Sequence, residues 1–219
     1  MKKIAITGNI GSGKSWVCDL FEHCLGIPVF NSDVEAKRLY FDPEIRKRLE
    51  ERFGTEFYLS DTLLNRKHIA EVIFHDEAAQ HDLEGILYPA LFVEFDNWAE
   101  KQDAPYVLFE SALVFEKHLE SYFDEIVLVT ASEETRLRRA MLRDRCEADV
   151  VRERMAKQWP DEQKRTLADH IIWHENDDED ELLIEQIMQL HEEFESSHRF
   201  IVAFFLLVCF LLTHLLWSN

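Results

Sequence analysis

An α/β fold, in which a five-stranded parallel sheet is covered by helices on both faces, is what this sequence predicts, and two observations carry the prediction. Five short apolar runs, at 4–7, 27–30, 106–109, 126–129 and 171–173, alternate with segments that read mostly as helix. Directly after the first run, residues 8 to 15 read Gly-Asn-Ile-Gly-Ser-Gly-Lys-Ser, which fits G-x-x-x-x-G-K-[ST] at every fixed position.

In such sheets a ligand sits beyond the carboxyl ends of the strands. Taken in order, those ends are Thr7, Asn31-Ser32-Asp33, Glu110-Ser111, Thr130 and the region of His174. The rule therefore gathers the loop from Gly8 to Ser15, Asp33 and Glu110 around one crevice.

The loop itself points to a nucleoside triphosphate. Gly8, Gly11 and Gly13 let the backbone curl so that the N–H groups of Asn9, Ile10, Ser12 and their neighbours face phosphate oxygens, and the helix starting near Lys14 adds its positive end. Lys14 then reaches the β and γ phosphates, and the Ser15 hydroxyl is offered to Mg²⁺.

After the second run, Asp33 is placed to accept a proton from a substrate hydroxyl or to hold a metal-bound water; its alternative role is the N-cap of a helix beginning at Val34. Residues 34 to about 104 carry helical patterns at 35–39, 43–53 and 78–99, and a stretch that long between neighbouring strands reads as an inserted substrate-binding subdomain. Glu110 ends the third run as a metal-associated acid would, with a structural hydrogen bond as the alternative, and its place in the crevice also makes it an expected substrate-site residue.

Residues 133 to 163 read as a charged helical pair. Most of its arginines suit a solvated face, paired with Glu133, Glu134, Asp144 and Glu147. Arg139 and Arg143 stand one turn apart, the geometry with which a mobile lid brings two guanidinium forks onto a transferring phosphoryl group. The acidic run from Glu175 to Glu181 lacks the glycine and ligand spacing of a calcium loop and reads as solvated surface.

Composition sets further bounds. Acids outnumber bases 43 to 24, for a net charge of −19, which argues against nucleic acid as a partner and requires the basic groups to concentrate where an anionic substrate binds. Cys18, Cys24, Cys146 and Cys209 form no C-x-x-C pair, as expected for inert thiols in a reducing compartment. With no charged-then-apolar leader before the first run, a cytoplasmic location is expected. From Phe200 to Trp217 no Lys, Arg, Asp or Glu occurs, and a helix of that length spans about 27 Å, just short of a hydrocarbon core. This hydrophobic tail reads as a C-terminal membrane anchor on the cytoplasmic side, as a helix docked in an apolar groove or dimer interface, or as a non-native end.

Several elements in order resemble one family, the dephospho-coenzyme A kinases. They are residues 7 to 15, Ser32-Asp33, Asn65-Arg66, the run from Leu83 to Pro89, Leu108-Phe109-Glu110, Arg139-x-x-x-Arg143-Asp144, Arg154-Met155-x-x-Gln158-x-x-x-Glu162-x-Lys164 and Ala168-Asp169. The resemblance implies a three-layer P-loop kinase fold with a helical insertion and a helical lid, ATP and Mg²⁺ as cofactors, and dephospho-coenzyme A as substrate. It implies Asp33 as general base, Arg139 and Arg143 as lid arginines, and Arg66, Tyr88 and Pro89 in the substrate subdomain. Three departures stand out. The family's Asp-x-Asp is Asn31-Ser32-Asp33 here, its His-Pro is Tyr88-Pro89, and its glutamine before the first lid arginine is Arg136. The asparagine expected near the adenine aligns with His174 or, after a two-residue insertion, with Asn176. A kinase for another nucleotide acceptor and a membrane-tethered nucleotide switch are the competing functional readings.

Overall fold

The computed structural model describes residues 1–74, 76–175 and 181–196. The expected tail at 200–217 and Asn176 lie outside them.

The chain divides into two compact units, one formed by Met1–Val29 with the chain from Gln102, the other by Phe30–Lys101. The sheet has the order β2-β5-β1-β6-β7, from β1 (Lys2–Thr7), β2 (Val29–Asn31), β5 (Tyr106–Glu110), β6 (Glu125–Thr130) and β7 (His170–Trp173). Strand β1 pairs in parallel with β5 and with β6, and β6 pairs in parallel with β7. The central strands are buried along nearly their whole length, as parallel strands covered on both faces must be. Side chains from alternate positions, among them Ile4, Ile6, Leu108, Val127, Val129 and Ile172, meet Val17 and Phe21 of α1 (Lys14–Leu25) and Leu183, Ile187 and Phe194 of a helix over 181–196.

The observed strands differ from the expected runs at their ends. Strand β1 reaches back to Lys2, because Lys2 forms an ion pair with Glu125 of neighbouring β6 and can begin a strand despite its charge. Strand β2 begins at Val29 rather than Ile27, since Pro28 has no N–H to give a ladder.

The Phe30–Lys101 unit holds α2 (Ser32–Leu39), α3 (Pro43–Phe53), α4 (Arg66–Phe74) and α5 (Glu77–Ala99). The caps are local and specific: Asp42 accepts from the N–H groups of Glu44 and Ile45, and Asp76 from those of Ala78 and Ala79. Its core is Ile45, Leu49, Phe57, Tyr58 and Leu83. Helical patterns alone did not anticipate the small antiparallel hairpin of β3 (Tyr58–Ser60) and β4 (Leu63–Leu64), whose strands are too short to show a period.

The charged region expected as a helical pair contains three helices, α6 (Glu133–Asp144), α7 (Ala148–Met155) and α8 (Asp161–Arg165). Pro160 precedes α8 and cannot continue a helix from α7. Among the described residues no helix is long and apolar enough to cross a membrane.

Candidate active site

The loop between β1 and α1 is built as its composition demands. Gly11 has φ 78° and Gly13 φ 90°, in the left-handed region that favours glycine. Neither could carry a side chain: a Cβ on Gly11 would sit 2.1 Å from the Arg136 carbonyl oxygen, and one on Gly13 2.3 Å from Nδ1 of His174. Gly13 caps α1 without a side-chain hydrogen bond, so the first-turn N–H groups of the helix keep the anion-binding character of a helix start.

At the mouth of this loop stands Glu110, buried at the end of β5. Its Oε1 accepts from Lys14 Nζ at 2.5 Å and from the Ser15 hydroxyl at 2.6 Å. Glu110 thus faces the two loop residues expected to meet phosphate and metal. Lys14 is largely shielded from water, whereas Ser15 is exposed and open to a ligand.

Arg139 of α6 reaches the loop as well. Its guanidinium donates to the backbone carbonyls of His174 at 2.8 Å and of Ser12 and Glu175 at 3.4 Å. Arg143, one turn on, instead donates twice to Asp144, at 2.8 and 3.1 Å, and Arg154 donates to the same carboxylate at 2.5 Å. The two flanking guanidiniums hold Asp144 well below the usual carboxylate range. The structure therefore brings Arg139, and not Arg143, to the loop backbone.

Helix α6 is itself fixed by Glu175, whose carboxylate accepts from the Ser132 N–H and hydroxyl and from the Thr135 hydroxyl. Those hydrogen bonds hold the carboxyl below its ordinary value of 4.5. Glu175 is thus a structural acid rather than simple solvated surface.

The expectation of a solvated arginine face fails at Arg136. It is buried, donates through Nε to the Ala131 carbonyl and lies 3.8 Å from buried Asp161. Its neighbours on the loop side are backbone and a carboxylate, which together replace the water an arginine ordinarily needs.

Asp161 and Trp159 are site residues that the sequence does not reveal, and Gln158, which the family resemblance includes without a role, joins them. The Asn9 amide donates to Asp161 Oδ1 at 2.5 Å and to the Trp159 carbonyl at 3.0 Å, and the Ile10 N–H donates to Gln158 Oε1 at 2.8 Å. The Thr130 hydroxyl also donates to Asp161. The available signal was Pro160 followed by an acid at the start of a helix, which marks a turn but names no partner.

In the Phe30–Lys101 unit, Asp33 is the exposed second residue of α2. The expectation that it might cap this helix is overturned: the Asn31 side chain accepts from the Val34 N–H at 3.0 Å, and Ser32 is already helical. The Asp33 carboxylate is thereby left without the capping duty. Arg66 is the exposed first residue of α4, and Asn65 before it accepts from the His68 N–H. Tyr88 and Pro89 lie within α5, half-buried and exposed respectively. Of the cysteines, Cys18, Cys24 and Cys146 are free thiols, and burial pushes the Cys18 thiol up.

Comparison with known proteins now bears on this geometry. A family model described as dephospho-CoA kinase matches residues 2–180. Dephospho-CoA kinase of Mannheimia succiniciproducens is 33% identical over 87% of this chain and 90% of its own length, and that of Aggregatibacter actinomycetemcomitans 34% identical over 92% and 95%. A crystal structure of TT1252 from Thermus thermophilus, 31% identical, superposes with a TM-score of 0.76 over 88% of this chain and 97% of its own. Dephospho-CoA kinase from Campylobacter jejuni, 20% identical with a TM-score of 0.63 over 89% and 98%, shares the fold. The chain belongs to the dephospho-CoA kinase family.

Proposed function

We propose that this chain transfers the γ-phosphoryl group of ATP to the ribose 3′-hydroxyl of dephospho-coenzyme A, giving coenzyme A and ADP, in the cytoplasm. The observation that carries the reading is Glu110 bonded to both Lys14 and Ser15 at the mouth of a loop whose amides suit a polyphosphate.

Phosphoryl transfer needs charge neutralisation, in-line positioning and a group that takes the nucleophile's proton. In this reading the loop amides from Asn9 to Gly13 cradle the phosphates. Lys14 keeps one N–H on Glu110 and offers its other two to the β and γ oxygens. Exposed Ser15 and Glu110 form an all-oxygen donor pair 2.6 Å apart, the chemistry Mg²⁺ takes, and they would hold that ion. When bound it would neutralise charge shared by the β and γ phosphates.

Asp33 accepts the hydroxyl proton. Arg66, Tyr88 and Pro89 contribute to acceptor binding. Arg139 stays with the loop backbone, and Arg143 leaves Asp144 for the nucleotide when the lid closes and excludes water.

Replacing Asp33 by Asn tests the assignment. Turnover should fall about a hundredfold or more, the reach of general-base catalysis, while ATP affinity holds. Turnover equal to wild type would remove Asp33 as the base.

A further inference from the structure

Resting on the ATP-binding reading above, we infer that Gln158 and Asp161 are positioning residues that set the shape of the first half of the phosphate loop. The residues from Asn9 to Gly11 touch the segment between α7 and α8 and the start of α6 at four points. Ile10 N–H donates to Gln158 Oε1, and Asn9 Nδ2 donates both to Asp161 Oδ1 and to the Trp159 carbonyl. Gly11 lies against the Arg136 backbone, too close for any Cβ.

The segment that makes these contacts is itself fixed. Trp159 N–H donates to Glu116 Oε1, which pairs at 2.6 Å with Lys164 of α8, a side chain fully removed from water. Asp161 takes a second hydrogen bond from Thr130 at the end of β6 and has Arg136 beside it. Asn9, Thr130, Arg136 and Asp161 are all at least nine-tenths buried.

Chemistry explains why the loop needs this support. The N–H groups that grip phosphate must converge before the ligand arrives, and hydrogen bonds that fix them in advance lower the cost of ordering. Glycine supplies the turn but not the rigidity, since it has the widest range of backbone conformations to lose. Packing against the Arg136 backbone covers Gly11, while Asn9, Gln158 and Asp161 border a recess of about 440 Å³. Hydrogen bonds from 158–161 add the missing rigidity at Asn9 and Ile10.

Two variants separate positioning from stability. Gln158→Ala deletes one acceptor without leaving a buried charge. The double change Arg136→Met with Asp161→Leu removes both charges of the buried pair together and takes the acceptor away from the Asn9 amide. For each, steady-state KM for ATP, KM for dephospho-coenzyme A and thermal midpoint are measured beside wild type. Gln158→Ala is expected to raise the KM for ATP about tenfold, the scale of one lost hydrogen bond, with the acceptor KM and the midpoint nearly unchanged. The double variant should raise the KM for ATP by at least as much.

A purely structural role predicts the opposite split: a lowered midpoint, with wild-type KM for ATP among the folded molecules. That result overturns the inference. Should the double variant fail to fold, Gln158→Ala decides alone. A wild-type protein without ATP-dependent activity overturns the underlying reading, whereas an active wild type whose variants keep its KM for ATP overturns this inference only.

Discussion

Ion pairs around the phosphate loop and ion pairs on the outer helices use the same residue types under opposite conditions. Lys14–Glu110, Lys164–Glu116 and Arg136–Asp161 are shielded from water, with each partner's side chain 12% exposed or less. Arg143–Asp144, Arg154–Asp144 and Arg152–Asp149 on α6 and α7, and Arg52–Asp82 in the Phe30–Lys101 unit, leave their guanidiniums 45 to 60% exposed. A buried pair is held because separating it strands a charge in a poor solvent, so it fixes geometry. An exposed pair exchanges readily with water, so it can be given up when a better anion arrives. On this view Arg143 is free to change partner and Asp161 is not.

The contrast can be broken at its strong end first. Lys14→Ala should lower kcat/KM about a thousandfold, as loss of a preorganised donor at developing phosphate charge does, measured by ADP formation. Lys164→Met strands Glu116 and should cost about 3 kcal/mol in chemical denaturation. Adding Glu116→Gln, which keeps an acceptor for the Trp159 N–H, should recover most of that loss. The weak end behaves differently: Arg154→Ala should shift stability by less than about 1 kcal/mol and leave activity near wild type, because Arg143 still pairs with Asp144.

Acid sharpens the same comparison. The Glu175 carboxyl is held low in the fold, so its hydrogen bonds to Ser132 and Thr135 stabilise the protein above the ordinary carboxylate value of 4.5 and are lost as pH falls through the lower folded value. Thermal unfolding followed from neutral to acid pH should therefore show stability falling on the acid side, with a shallower fall in Glu175→Gln.

Legibility in the sequence follows how local each feature is. The phosphate loop declares itself in eight consecutive residues because a tight anion cradle needs glycine at fixed places. Glu110 was reachable from its position at the end of an apolar run, although only its bonds to Lys14 and Ser15 set it with the phosphate side. The Asn9–Asp161 contact joins residues 152 apart, and nothing in either neighbourhood encodes the other. Arg136 misled for a related reason: a charged residue in a charged helix reads as solvated, and its burial depends on backbone and carboxylate partners brought by other elements. For Asp33 the sequence leaves proton acceptance, a metal-bound water and helix capping open, and Asn31, two positions earlier, takes the capping role.

With Lys14 and Glu110 at its mouth, this loop is proposed to serve phosphoryl transfer to a specific acceptor. Its most direct test is ADP release by the full-length chain with ATP and Mg²⁺, compared with and without dephospho-coenzyme A. Strong stimulation by the acceptor and stoichiometric formation of coenzyme A are expected. Slow ADP release indifferent to dephospho-coenzyme A, with no coenzyme A formed, would contradict it.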